Sequence, residues 1–305
     1  LTIANAAPVV TVATITSPTF SALDPLMLNS TAEDPDGDAV QTTDVRWFLN
    51  DVEQTQGVGP SMVNPTSLLR GDAWHAVITV SDGSDETVFT TDSVVILNAA
   101  PQVNVVWPSE VNALVDLVPT ISILDVDNDV TSFSTTWYKN GFRDASLTNA
   151  TSVSADKLAP EQTWRVVVEA SDGQAATSIE ASVVLTNLQP VADIVMVSSA
   201  VWFGETTVLS AENSVDADGD LVQFTWSWDG TSASGASVSL VLTETTEVHL
   251  LVVDDLGATA EHTVELEVVA GPVVQNLRVS NDKDGGVDLA WAWTGEEVAF
   301  NILRN

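Results

Sequence analysis

The 305-residue sequence predicts an all-β fold: tandem antiparallel β-sandwich modules arranged as a rod. Three observations carry that expectation. The chain is rich in Val, and about a fifth of it is Ser and Thr, a composition suited to pleated, half-buried strands. Trp74, Ala76, Ile78 and Val80 alternate with His75, Val77 and Thr79, and Trp164, Val166, Val168 and Ala170 follow the same period of two, which is strand periodicity. A set of landmarks recurs, with junction prolines Pro8, Pro101, Pro190 and Pro272 standing 93, 89 and 82 residues apart.

Composition bounds the function. There are 43 acidic and 9 basic residues, a formal charge of −34, yet only 17% of residues are charged. The acidity therefore reflects scarce Lys and Arg. A surface of this sign repels phosphate backbones and anionic lipid, so no nucleic-acid partner is expected. It suits saline or calcium-rich surroundings. Hydrophobic residues make up 45%, too many for a disordered chain. Cysteine is absent, which excludes a disulfide scaffold and thiolate chemistry. No apolar run is long enough to span a membrane, so no membrane insertion is expected in this segment.

Each repeat opens on a junction: Asn5-Ala6-Ala7-Pro8, Asn98-Ala99-Ala100-Pro101 and Asn187-Leu188-Gln189-Pro190. An Asp cluster follows at 34–38, 125–129 and 216–220, then a Trp at 47, 137 and 226. An alternating apolar run closes each repeat, ending on Asp82, Asp172 and Asp254. Trp47 to Trp74 and Trp137 to Trp164 are both 27 residues. Asn140-Gly141 predicts a two-residue hairpin, because both positions tolerate positive φ, and Asn50-Asp51 holds the same place in repeat one. The module bounds are then 5–97, 98–186 and 187–270. Residues 1–4 match the last strand of a preceding module, and 271–305 open a fourth that stops after about three strands, where a whole sandwich takes about 100 residues.

Repeat three resembles a PKD (polycystic-kidney-disease-type) module through Pro190-Val191-Ala192, Asp216 to Asp220, Phe224 to Gly230 and Val252 to Gly257. It departs where the family has Gly-Asp-Gly, since Trp228-Asp229-Gly230 lacks the first Gly. Repeats one and two resemble the related Ig-like modules of prokaryotic surface proteins, with the Asp cluster followed by Trp-aromatic-x-Asn-Gly, as at Trp137 to Gly141. Residues 272–305 resemble the start of a fibronectin type III module through Pro272, Leu277, Val287 to Trp291 and Phe300 to Arg304. These resemblances imply two packed sheets of about seven strands per module.

In such a sandwich the junction Asn, the Asp cluster and the Asp ending the apolar run converge at one pole. All are oxygen donors, and carboxylates on alternating residues around a tight turn suit a hard cation. Calcium is the candidate cofactor, as some PKD modules of secreted enzymes imply. The candidate ligands are Asn5, Asp34, Asp36 and Asp82 for site one, and Asn98, Asp125, Asp127 and Asp172 for site two. For site three they are Asn187, Asp216, Asp218 and Asp254, with Asp38, Asp129 and Asp220 as secondary candidates. The alternative is that Asp, Pro and Gly only build polar turns through Asx hydrogen bonds. The second cluster lacks the Gly, so its loop is expected to differ.

Trp47, Trp74, Trp137, Trp164 and Trp226 are expected in the sandwich cores, while Trp228 and Trp293 are the candidates for exposed, sugar-stacking rings. Arg70-Gly71-Asp72, a tripeptide known from integrin recognition, is expected to be a turn, in the slot held by Glu161-Gln162-Thr163 in repeat two. Asn29 and Asn149 head glycosylation sequons, so glycan is a candidate partner. His75, His249 and His262 pair with no nucleophile at a recognisable spacing, and no enzyme is expected. The leading expectation is an archaeal or bacterial extracellular structural protein: a surface stalk, adhesin, S-layer or filament subunit. It would self-associate or meet a neighbouring surface protein, with calcium stiffening its joints. The alternatives are an accessory spacer or polymer-binding region of a secreted hydrolase, and a viral fibre.

Overall fold

Alternating side chains build antiparallel sheets throughout the computed structural model, which describes residues 4–271, 275–281 and 287–292. Repeat one contributes β1 (Val9–Thr16), β2 (Leu26–Glu33), β3 (Gln41–Leu49), β4 (Val52–Gln54), β5 (Met62–Val63), β6 (Ala73–Ser81), β7 (Glu86–Thr90) and β8 (Val94–Val95). One sheet runs β1-β2-β5, and the other runs β4-β3-β6-β7 with β8 also on β6. Repeat two contributes β9 (Gln102–Val106), β10 (Thr120–Leu124), β11 (Ser132–Lys139), β12 (Phe142–Asp144), β13 (Thr163–Ser171) and β14 (Ala176–Val184). These form a β10-β9 pair and a β12-β11-β13-β14 sheet.

Repeat three contributes β15 (Val195–Met196), β16 (Ala200–Trp202), β17 (Thr206–Ser210), β18 (Leu221–Trp228), β19 (Thr231–Ser234), β20 (Ser237–Val241), β21 (Thr246–Asp254) and β22 (Thr259–Val269). Its sheets run β15-β17-β20 and β16-β22-β21-β18-β19, the β16–β22 pair being parallel. β23 (Gln275–Asn281) and β24 (Val287–Ala292) pair antiparallel. The chain divides into two compact units, Leu1–Val111 with Val115–Leu185, and Asn112–Leu114 with Thr186–Asn305. The first unit holds repeats one and two.

The predicted core tryptophans are all buried, at 1% exposure or less. Three of them stand on the strand after the Asp cluster, and each satisfies its indole N–H on a backbone carbonyl: Trp47 on Gly59 at 2.9 Å, Trp137 on Ala150 at 2.8 Å and Trp226 on Gly235 at 2.9 Å. The ring thus buries its area without stranding its polar atom. Asn140 and Gly141 adopt φ of 48° and 85°, the expected two-residue turn. Asn50-Asp51 does the same at 48° and 66°, and Asp229-Gly230 at 42° and 71°.

Several expectations are corrected. Trp228 is half-buried against the core of repeat three, because its inward phase on β18 carries it under the neighbouring sheet. Among the residues whose burial is described, the exposed Trp is Trp202, at 38%. Gly71 and Glu161 are the equivalent turn residues: both have positive φ, and their N–H groups reach Ile96 and Leu185 carbonyls. Arg70 is therefore matched by Pro160, one residue away from the expected register. Residues 1–3, Pro272, Trp293 and Phe300 to Arg304 lie outside the described residues.

Trp137→Ala should cost about 3–5 kcal/mol, since it removes a buried ring and leaves a cavity. Denaturant unfolding followed by the remaining Trp fluorescence reads this directly, and a loss below about 1 kcal/mol would contradict the packing described.

Candidate functional site

The three acidic clusters follow the second strand of repeats one and two and the third strand of repeat three. Asp34 follows β2 and Asp125 follows β10 directly, whereas Asp216 follows β17 after an intervening turn. Asp82 and Asp172 follow β6 and β13, and Asp254 is the last residue of β21. The folded chain brings the predicted groups together in each repeat through the same bonds.

The junction Asn donates its amide to the strand-end Asp: Asn5 Nδ2 to Asp82 Oδ2 at 2.9 Å, Asn98 to Asp172 at 2.8 Å, and Asn187 to Asp254 at 2.8 Å. The next backbone N–H donates to the middle Asp of the cluster: Ala6 to Asp36 at 2.7 Å, Ala99 to Asp127 at 2.7 Å, and Leu188 to Asp218 at 3.2 Å. The first Asp of each cluster accepts from the middle Asp's backbone N–H at 2.7, 2.9 and 3.5 Å. All twelve predicted residues belong to these networks.

The Asx hydrogen bonds of the alternative reading are present, but they leave a remainder. The second oxygen of the first Asp, Oδ2 of Asp34, Asp125 and Asp216, is buried with no hydrogen-bond partner in any of the three repeats. Asn187 Oδ1 is a fourth such atom. A buried carboxylate oxygen without a partner is costly, and its recurrence at one structural position suits a cation ligand. Turn-building alone leaves these oxygens unexplained. In repeat two, ligand atoms of Asp125, Asp129 and Asp172 lie within 4.8 Å of one another. In repeat three, a Cβ on Gly219 would stand 2.6 Å from Asp216 Oδ2 and 2.5 Å from Asp255 Oδ1, so the missing side chain leaves room for two carboxylates to face each other.

The electrostatics follow from these partners. The N–H of Asp85, the Asn5 amide and the N–H of Ser84 hold Asp82 below the usual carboxylate range. Ala175, Asn98 and Gln174 do the same for Asp172. Burial pushes Asp254 upward, but Asn187 and the N–H groups of Ala258, Leu256 and Gly257 outweigh it and leave it lowered. Asp216 is raised, first by burial and further by the Asp218 and Asp254 charges.

The loop that differs is the third, not the second. Asn128 takes φ of 63° where Gly37 takes 86°, and both N–H groups bond to the first Asp carbonyl. Asn is among the few residues that tolerate this region, so the turn survives without Gly. Gly219 is not in a positive-φ conformation.

Some site residues were not anticipated. Asp85 accepts a second bond from Asn5 Nδ2 at 2.8 Å, and Asp255 accepts from the Asp220 N–H at 3.3 Å. Asp129, a secondary candidate, joins the triad in site two, while Asp127 spends its Oδ2 on the junction. Arg70 of repeat one enters site two, donating to Asn98 Oδ1 at 2.5 Å and to both oxygens of Asp129, through Nη2 at 3.1 Å. Repeat three holds 14 acidic residues and no Lys or Arg.

No protein-family model and no curated protein matches the chain. Among solved structures it is similar to the PKD1 domain of the Vibrio cholerae metalloprotease PrtV, at 25% identity over 27% of this chain and 98% of that one, with a TM-score of 0.24. It is similar to the PKD1 domain of Vibrio anguillarum Epp at 31% identity, over 27% and 99%, with a TM-score of 0.23. A calcium-stabilised, ice-binding adhesin of an Antarctic bacterium aligns at 18% identity over 89% of this chain and 78% of that one, with a TM-score of 0.25.

Gly219→Ala should destabilise repeat three, because the added Cβ would stand 2.5 Å from Asp255 Oδ1 and 2.6 Å from Asp216 Oδ2 and one of those carboxylates must move. Denaturant unfolding of parent and variant in EDTA checks this, and equal stabilities would contradict the close approach described. Asp172→Ala should destabilise the chelated protein at neutral pH. Its native pKa is lowered, so its stabilisation is present above the ordinary carboxylate value of about 4 and lost as pH falls through the native one. Denaturation of parent and variant across that range should show the two curves converging in acid.

Proposed function

We propose that this chain is a structural segment of an extracellular surface protein, an adhesin, stalk or filament of tandem sandwiches whose joints are stiffened by calcium. The observation that carries the proposal is the buried, unpartnered Oδ2 repeated at Asp34, Asp125 and Asp216, beside a junction pinned by an Asn amide.

The modules proposed are 5–97, 98–186 and 187–270, with 1–4 closing a preceding module and 271–305 opening a fibronectin type III-like one. Asn5, Asp34, Asp36 and Asp82 would hold the first ion, Asn98, Asp125, Asp127 and Asp172 the second, and Asn187, Asp216, Asp218 and Asp254 the third. Asp38, Asp129 and Asp220 would support them.

The chemistry supplied is charge neutralisation. A hard divalent ion takes oxygen ligands alone, and each cluster offers carboxylates whose backbone bonds already fix their direction. The same carboxylates hold the linker N–H, so an ion bound there would tie the incoming linker to the sandwich it enters. Repeat three has no Lys or Arg of its own, which favours an outside cation as the means of neutralising its acidic cluster.

Extracellular placement accords with the acidic surface. Among the described residues, no helix is long and apolar enough to cross a membrane. Asn29 and Asn149, the sequon residues, both present exposed side chains to a glycan.

Millimolar calcium should raise the melting temperature of the chain by several degrees over EDTA, about 4–8 °C per kcal/mol for a domain of this size. Asp216→Asn should abolish the part belonging to repeat three. Equal melting temperatures in calcium and EDTA would refute the calcium reading. Light scattering after size exclusion in both buffers shows whether assembly follows the ion.

A further inference from the structure

We infer that Arg70 is the resident cation of the second acidic site, so the joint between repeats one and two stays closed by a guanidinium without any dissolved metal ion.

Site two differs from site three in one respect that bears on this. In site three the junction Asn187 Oδ1 is buried and without a partner. In site two the equivalent oxygen, on Asn98, accepts from Arg70 Nη1 at 2.5 Å. The same guanidinium reaches both oxygens of Asp129, one of the three carboxylates that converge there. Asp125 and Asp127 add their negative charges nearby. A planar fork bonded to one carboxylate in bidentate fashion and to a third oxygen is the geometry in which Arg exceeds a simple point charge.

An isolated surface ion pair contributes little, and this pair is not isolated. The Arg70 and Asp129 side chains are only 36% and 22% exposed. Beside them Val126, the second residue of the Asp cluster, packs against the hydrophobic core of repeat one. The corresponding residues in the other clusters are Pro35 and Ala217. The joint thus combines an apolar plug from repeat two with a cation from repeat one. Pro160 stands at the equivalent of Arg70 in repeat two, so that position carries no guanidinium there. With 9 basic residues in the chain, placing one here is a specific use of a scarce charge.

The tripeptide Arg70-Gly71-Asp72 is accounted for at the same time. Its guanidinium is spent on repeat two. Its Asp accepts from Asn50 Nδ2 at 3.3 Å, with the other carboxylate oxygen buried, and Gly71 supplies the positive φ of the turn. Neither charged end is free for an outside receptor.

The inference departs from the calcium reading at site two, where the guanidinium takes the Asn98 oxygen that reading gives to an ion, and it is tested where that reading predicts loosening. The full chain has no cysteine, so nitroxides at Asn29→Cys and Ser178→Cys report a single distance between repeats one and two by electron–electron double resonance. In EDTA the Arg70-containing chain should give a narrow distribution. Arg70→Met should roughly double its width, since relative motion is the default where the interface between domains is small. Asp129→Asn should broaden it similarly, and the double variant should add nothing further. Circular dichroism confirms that each variant is folded. The inference is overturned if Arg70→Met is as narrow as its parent in EDTA, or if the parent is itself broad in EDTA and narrows only with calcium. Either result leaves the melting test of sites one and three standing on its own.

Discussion

An amide-to-carboxylate hydrogen bond between a junction Asn and a strand-end Asp organises each repeat of this chain. It joins the segment entering a sandwich to a central strand of that sandwich, across 77, 74 and 67 residues of sequence. The carboxylate can serve because its other oxygen is already held by backbone N–H groups of the turn that follows: Ser84 and Asp85, Gln174 and Ala175, Leu256 and Ala258. Those bonds make the charge cheap to keep and fix where it points. The Asp cluster then assembles around a group that is already rigid, and the middle Asp takes the neighbouring N–H of the linker. Without the Asn amide, the linker N–H to the middle Asp would remain as the tie to the incoming chain.

The sandwich itself was legible because its signals are local. Period-two runs, the Asn-Gly turn and a Trp after each Asp cluster all act within a few residues, and burial on one face enforces them. The twelve proposed ligands were legible for a related reason: their spacing repeats, so shared topology must bring them to one place. What could not be read has a nonlocal cause. Arg70 reaches Asp129 across 59 residues, and nothing in its own neighbourhood distinguishes it from a turn residue. The approach of Asp129 to Asp125 and Asp172 is likewise set by geometry alone, while Asp127 accepts an N–H from the junction. The absent Gly in the second cluster proved harmless because Asn128 accepts the left-handed conformation, while the third loop departs despite keeping its Gly. Composition at one turn position is a weaker guide than the backbone bonds around it.

The few basic residues show how a strongly acidic chain spends its positive charge. Arg165 pairs with Glu180 and stacks over Tyr138 at 4.0 Å, and Lys139 lies over Trp164 at 5.6 Å. Arg46 sits between Asp44 and Glu53. Each of these serves a sheet face within its own repeat. Arg70 alone among the described guanidiniums is paired with a carboxylate of a different repeat. Repeat three has no Lys or Arg, and its buried carboxylate, Asp254, rests instead on neutral donors, the Asn187 amide and the N–H groups of Leu256 and Ala258.

Val126 has a consequence for the order in which the chain becomes whole. An apolar side chain set into the core of the preceding repeat, beside a guanidinium carried by that repeat, needs only two folded neighbours to engage. Such a contact can set as soon as both repeats have folded, in whatever solution surrounds them. A contact that needed a dissolved ion would have to wait for that ion. The first pair of repeats therefore carries, within its own sequence, all that its closure requires.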